Sequence, residues 1–324
     1  MARKKALIIA INYFGTDHEL KGCINDAQNI RNFLVEDRGF SPSSHDMVMM
    51  SDAPENEGTP FYPTGANILA AIKWLVTWNK EGDSLWLSYS GHGSQVKDED
   101  GDRPSGFEDT ICPVDYAENG QLTSSILHRA IVSPMNPSCR LTILFDCCHS
   151  GSACELPYVY RPDADGNVDL VDTLRRGAGL IRAARDLFFE GGFSAAKVAD
   201  AKVLLGGATD FFNGLRHRPD EDDEDNDGLA PETFSEHWEN ERKDVWMFSG
   251  CADDQTSADT SIAGAPTGAM SYAFLRTLRE NPEQSYINIL QNTREELAQN
   301  YSQIPQLSCG GRYDLDQVIA RSDG

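Results

Sequence analysis

Short apolar runs that stop abruptly on small or polar residues limit this chain to very few folds. Ala6-Leu7-Ile8-Ile9-Ala10-Ile11 gives way to Asn12-Tyr13-Phe14-Gly15, and Leu85-Trp86-Leu87-Ser88-Tyr89 ends in Ser90-Gly91-His92-Gly93. Leu141-Thr142-Ile143-Leu144-Phe145 ends in Asp146-Cys147-Cys148-His149-Ser150-Gly151, and Val245-Trp246-Met247-Phe248 ends in Ser249-Gly250. Runs this short and this apolar are strands buried on both faces, which are the strands of a parallel sheet. In such sheets reactive groups gather beyond the carboxyl ends of the strands. A thiol and an imidazole are therefore expected at one edge of one sheet. A free thiol has a pKa of about 8.5 and is only a few per cent thiolate at neutral pH, so a base beside it is what would make it a nucleophile.

The segments between these runs have helical spacing. Ala27, Ile30, Phe33 and Leu34 share a face within 25–35, and 46–50 supplies a further short strand. Ile68, Ala71, Ile72, Leu75 and Val76 mark one side of a helix that Thr64 can cap. Two more helices fall at about 269–280, with Met270, Ala273, Phe274 and Leu278 inward, and at about 284–299. Alternating strands and helices specify an α/β protein, a mostly parallel central sheet with helices on both faces. The rhythm breaks after Tyr160. From there the chain carries a helix-like stretch at 171–190, a Gly- and Ala-rich stretch, and an acidic block at 220–227, interrupted only by Asn226, that cannot pack and should be a solvated loop. The expected organisation is a larger unit at 1–160, an acidic insert at 161–243 and a smaller unit at 244–324 that completes the same fold.

Composition narrows the partners. A formal charge of -23 over 324 residues argues against nucleic acid and anionic membranes, since phosphates would be repelled, and favours cationic substrates or metal ions. The eight cysteines lack the dense spacing of a secreted disulfide framework, so reduced thiols are expected. Lys4-Lys5 before the first apolar run is only superficially like a signal peptide, because the run is too short. No segment approaches the roughly 20 apolar residues of a membrane span. A cytoplasmic protein, with the nucleus as an alternative, is the expectation.

Ser-Gly-His-Gly at 90–93 and Asp-Cys-Cys-His-Ser-Gly at 146–151 each close a strand, with His92 and Cys148 about 56 positions apart. Leu20-Lys21-Gly22-Cys23-Ile24-Asn25-Asp26, Asp100-Gly101-Asp102, Ile111-Cys112-Pro113-Val114-Asp115, Leu156-Pro157-Tyr158 and Gly268-Ala269-Met270-Ser271 follow in the same register. In these motifs the chain resembles the metacaspases, cysteine peptidases of the caspase fold, and specifically the type I enzymes. Their frequent proline-rich and zinc-finger prodomain is not expected here. The resemblance implies a caspase-like three-layer sandwich.

By that resemblance Cys148 is the nucleophile, because the family's reactive thiol directly precedes His-Ser-Gly, and His92 is the general base and acid. The amides of Gly93 and Cys148 are the implied oxyanion donors. Cys147 competes with Cys148, but neighbours on an extended chain face opposite ways and only one can meet His92. The pocket before the scissile bond maps to Cys23, Asp26, Ser90 and Asp146. Two carboxylates there would bind Arg or Lys by charge-assisted hydrogen bonds and repel aspartate. The implied partners are thus proteins or peptides with Arg or Lys before the cleaved bond, and the implied oligomeric state is a monomer.

Type I relatives generally use calcium. The corresponding acidic positions here are Glu108, Asp109 and Glu155, but Ser124 and Ser125 stand where the family usually has two aspartates. Calcium requires six to eight oxygen ligands, so this site is expected to be weak or lost and no cofactor to be needed. Arg216, Arg218, Arg242 and Lys243 mark the insert as a self-cleavage segment. Two other readings compete: a catalytically inactive regulator or aggregate-binding scaffold on the same fold, and a redox-sensing thiol protein using Cys147 and Cys148. Metal ligation by Cys147, Cys148 and His149 is disfavoured, because three contiguous side chains do not converge on a tetrahedral ion.

Overall fold

A computed structural model of the chain describes residues 2–98, 106–147, 153–162, 168–170, 208–215, 242–251, 260–262, 265–301 and 303–319. β1 (Lys4–Ala10), α1 (Cys23–Glu36), β2 (Met47–Ser51), α2 (Gly65–Val76) and β3 (Ser84–Ser90) come first. Then follow β4 (Gly93–Lys97), β5 (Phe107–Ile111), α3 (Tyr116–Asn119), β6 (Leu122–Thr123) and α4 (Ser124–Leu127), which runs into a π-helical turn, His128–Val132. β7 (Arg140–Asp146), β8 (Tyr158–Pro162) and β9 (Val168–Leu170) precede a short helix α5 at 208–214. The chain closes with β10 (Val245–Cys251), β11 (Thr260–Ile262), β12 (Ala265–Thr267), α6 (Ala269–Glu280), α7 (Tyr286–Ala298) and β13 (Ile304–Cys309).

Eight strands form one sheet in the order β2-β1-β3-β7-β10-β13-β8-β9. The first five are parallel, and β13, β8 and β9 are added antiparallel. β1-α1-β2 steps one way across the sheet and β2-α2-β3 steps back. With right-handed crossovers this puts α1 and α2 on opposite faces. α6 packs on α1, β7 and α7, while α2 packs on β1 and the π-helical turn. The result is a caspase-like three-layer α/β sandwich.

The expected elements sit where the patterns placed them. Val245 to Trp246 and Leu141 to Phe145 are fully buried except Thr142, and Thr64 caps α2 by accepting from the Asn67 amide at 3.2 Å. Trp246 stacks on Tyr286 at 3.6 Å, tying β10 to α7. Some features depart from the sequence reading. β8 runs through residue 160 and β9 reaches 170, so the main sheet extends into the segment read as an insert. α5, also within that segment, packs. Phe212 is buried, Phe211 and Phe61 meet edge to face at 5.3 Å, and His45 Nδ1 lies 2.8 Å from the Leu215 carbonyl. His45 and Phe61 flank β2, so α5 docks beside an outer strand of the sheet, a place where covering exposed backbone prevents unwanted pairing. The helix expected at 171–190 and the acidic block at 220–227 lie outside the described residues.

Among the described residues no helix is long and apolar enough to cross a membrane. Cys23, Cys112, Cys139, Cys147, Cys154 and Cys309 are buried free thiols.

Candidate active site

Parallel register brings three strand tips into a row, with Ala10 opposite Ser90 and Ser90 opposite Asp146. His92, Asp146 and Cys147 lie at or just beyond this row. β1 runs into Asn12 and Tyr13 and then α1, which carries Cys23 and Asp26 in its first turn. β3 runs into Gly91 and His92, and β7 into Cys147 and Cys148.

His92 is half-buried, its ring 4.6 Å from that of Tyr13. Its Nε2 stands 2.7 Å from the His18 carbonyl oxygen. A carbonyl can only accept, so Nε2 carries the proton and, in the neutral ring, Nδ1 holds the lone pair. An imidazole fixed in that tautomer can take a proton at Nδ1. Gly93 is buried and opens β4 opposite Ile111. The loop after β1 is held by Asp52, whose carboxylate accepts the amides of Asn12 at 2.8 Å and Phe14 at 3.3 Å.

Asp26 and Asp146, far apart in the chain, converge on one glycine. Gly268 N–H donates to both Asp26 oxygens at 2.9 Å, and the Thr267 hydroxyl also donates to Asp26. The Ser271 amide donates to Asp146 Oδ2 at 2.7 Å. A Cβ built on Gly268 would lie 2.2 Å from Asp146 Oδ2 and 2.7 Å from Asp26 Oδ2, so the two carboxylates face each other across the bare α-carbon. Both are buried. Cys23 is buried at the start of α1, its amide bonded to Asn12 Oδ1 at 3.1 Å, and Ser90 is buried at the tip of β3. That Thr267 and Gly268 bind these acids was not read from the sequence; Gly268 entered only through the match at Gly268-Ala269-Met270-Ser271, and Thr267 left no signal.

Cys147 is 4% exposed and belongs to the hydrophobic core. Cys148 lies outside the described residues, as do His149, Asp100-Gly101-Asp102, Arg216 and Arg218. Arg242 is exposed, with φ of 43°, whereas the Lys243 ammonium donates to the carbonyls of Ser133 at 3.1 Å and Met135 at 2.7 Å.

Glu108 and Asp109, which the resemblance links to calcium, bond to protein groups. Glu108 Oε1 accepts the Ser125 amide at 2.9 Å and the Ser124 hydroxyl at 3.3 Å, while Asp109 Oδ1 accepts from Gln95 Nε2 at 2.9 Å. One oxygen of each carboxylate thus accepts from a protein donor, and hydroxyls stand at 124 and 125 where a hard cation would need charge. Among the described residues no group of three His, Cys, Asp or Glu side chains, Glu155 included, could hold a metal.

Fold and site together define a caspase-like α/β protein with an imidazole and paired acids at the strand tips. A family model described as metacaspase, peptidase C14 domain, matches residues 4–157. The chain is 41% identical over 308 residues to Metacaspase-1 of Sclerotinia sclerotiorum, covering 95% of this chain and 66% of that protein. It is 41% identical over 308 residues to Metacaspase-1 of Botryotinia fuckeliana, covering 95% of this chain and 68% of that one. It thus spans about two thirds of the length of these relatives. A solved structure from Geobacter sulfurreducens shares the fold, with a TM-score of 0.55 at 21% identity and 97% of each chain covered. This chain belongs to the metacaspases, a family of caspase-like cysteine peptidases.

Proposed function

We propose that the protein is a cysteine endopeptidase that cleaves after Arg or Lys, with Cys148 as nucleophile and His92 as its base. His92 Nδ1 takes the Cys148 proton, and the thiolate adds to the scissile carbonyl carbon. The amides of Gly93 and Cys148 receive the developing oxyanion. The C–N bond then breaks as His92 returns the proton to the leaving amine, leaving a thioester. Water, deprotonated by His92, hydrolyses that thioester and regenerates the thiol. Burial of Cys147 in the core supports its neighbour as the reactive residue.

The observation that carries the specificity is the convergence of Asp26 and Asp146. Two carboxylates brought together by amide and hydroxyl donors make a negative locus that attracts a guanidinium or ammonium, and an acidic side chain there would meet repulsion. The same preference makes Arg242, exposed just before β10, and Arg216 and Arg218 substrates of the enzyme itself. This reading needs no calcium, because Ser124 and Ser125 bring hydroxyls rather than charge and bond to Glu108.

The test compares fluorogenic peptides ending in Arg, Lys and Asp, using the parent, Cys148→Ala and His92→Ala. The expected result is cleavage after Arg and Lys only, abolished in both variants. Turnover by Cys148→Ala at the parental rate overturns the proposal.

A further inference from the structure

Two tyrosines, Tyr13 from the loop after β1 and Tyr89 from β3, close on the main chain of the residue that carries the imidazole. The Tyr13 hydroxyl accepts the His92 amide proton at 2.9 Å and donates to the Cys112 carbonyl at 2.7 Å. The Tyr89 hydroxyl donates to the His92 carbonyl at 2.8 Å, and the two phenol oxygens are 3.0 Å apart. His92 thus has both main-chain groups terminated by phenols. The Cys112 amide, at 3.1 Å, is a further donor to the His92 carbonyl.

Two local features accompany this contact. Tyr13 adopts φ of 56°, a left-handed backbone that side-chain-bearing residues rarely take. Gly91 has no side chain where one would collide: a Cβ there would lie 2.7 Å from the Tyr89 hydroxyl and 3.0 Å from that of Tyr13. Phenylalanine would fill either ring site, so apolar packing does not account for the hydroxyls. Burial pushes both phenols well above their ordinary pKa, which keeps them protonated.

We propose that Tyr13 and Tyr89 are positioning residues for His92, their hydroxyls fixing the peptide groups on either side of it so that the ring, with Nε2 on the His18 carbonyl, presents Nδ1 in one orientation. This rests on the reading of His92 as the general base. Freed from one phenol, the peptide can rotate and the ring samples orientations that do not serve the thiol, which lowers turnover without altering the acidic pocket.

The experiment uses Tyr13→Phe, Tyr89→Phe and the double variant of the full chain. It measures kcat and KM on an Arg-terminated peptide, the pH profile of Cys148 alkylation by iodoacetamide located by mass spectrometry, and the folded fraction. Each single variant should lose about 5- to 30-fold in kcat with KM within about twofold, and the double about 100-fold. The Cys148 alkylation profile should shift toward that of a free thiol. Folded variants with parental kcat and an unmoved profile overturn the proposal, as does a loss of kcat that only tracks the loss of folded protein. Should the parent cleave no Arg peptide while the alkylation profile still moves in the variants, the peptidase reading falls and the role of the tyrosines stands.

Discussion

Replacing Gly268 by Ala should dismantle the acidic pocket while leaving the His92 end of the site alone. The new Cβ would stand 2.2 Å from Asp146 Oδ2, 2.7 Å from its Cγ and 2.7 Å from Asp26 Oδ2. Ordinary carbon–oxygen contact begins near 3.4 Å, so the Asp146 carboxylate or the backbone must retreat by about 1 Å. Asp26 holds the Gly268 amide through both oxygens at 2.9 Å, and Asp146 holds the Ser271 amide at 2.7 Å. A retreat of that size breaks one of these charge-assisted bonds, each contributing about 1.5–3 kcal/mol. In kcat/KM on an Arg-terminated peptide this is about a 10- to 150-fold loss. Alkylation of Cys148 by a small uncharged reagent should keep its parental rate, because that reagent does not use the pocket. Parental kcat/KM in a folded Gly268→Ala protein would refute the assignment of these carboxylates to substrate binding.

Addition of a calcium chelator should leave peptidase activity within about twofold, and strict calcium dependence would contradict the Glu108–Ser124–Ser125 contact as a substitute for the ion. Placing Asp at both 124 and 125 should lower the melting temperature by crowding carboxylates around Glu108, and added calcium should restore it. Lys5 is buried under the end of α2, donating to the carbonyls of Trp74 and, at 3.0 Å, Leu75, and burial lowers its pKa from 10.5 to about 7. Between those values the unfolded chain holds a proton that the folded chain has lost, so this residue's contribution to stability rises with pH, by up to about 1.4 kcal/mol per unit. Subtracting the pH–stability curve of Lys5→Met from that of the parent should expose this rise; a flat difference would refute it. Incubated parent protein should show new amino termini after Arg242, Arg216 or Arg218 but not after Lys243, whose ammonium is held by Ser133 and Met135, and Cys148→Ala should stay intact.

The parallel half of the sheet was legible because its strands are buried on both faces, so β1, β3, β7 and β10 are nearly pure apolar runs. α2 was legible through Thr64 and its one-sided apolar face. α1 starts two residues before the expected Asn25, since Gly22 caps it without a side-chain bond and leaves no mark in the sequence. β13 went unread because Pro305 and the polar Gln306 and Ser308 sit in it, yet it lies inside the sheet, with Pro305 opposite Gly250 where the missing amide is tolerated. The β4–β5–β6 sheet carries Ser94, Gln95, Glu108 and Asp109, too polar for a burial pattern. Within the site, the motifs pointed to His92, Asp26 and Asp146 one at a time. That the two acids meet at Gly268, and that Tyr13 reaches His92, depends on contacts between segments remote in sequence, which no local pattern encodes; the Tyr89 contact is local, but the sequence carries no mark of it.

The central claim, a nucleophile at 148 fed by an acidic pocket, is tested most directly by covalent trapping. An Arg-terminated peptidyl fluoromethyl ketone, from which a thiolate displaces fluoride, should leave one adduct per chain, mapped by mass spectrometry to Cys148. The Asp-terminated reagent and the His92→Ala protein should give almost none. An adduct on Cys147, or equal labelling by the two reagents, would contradict the account.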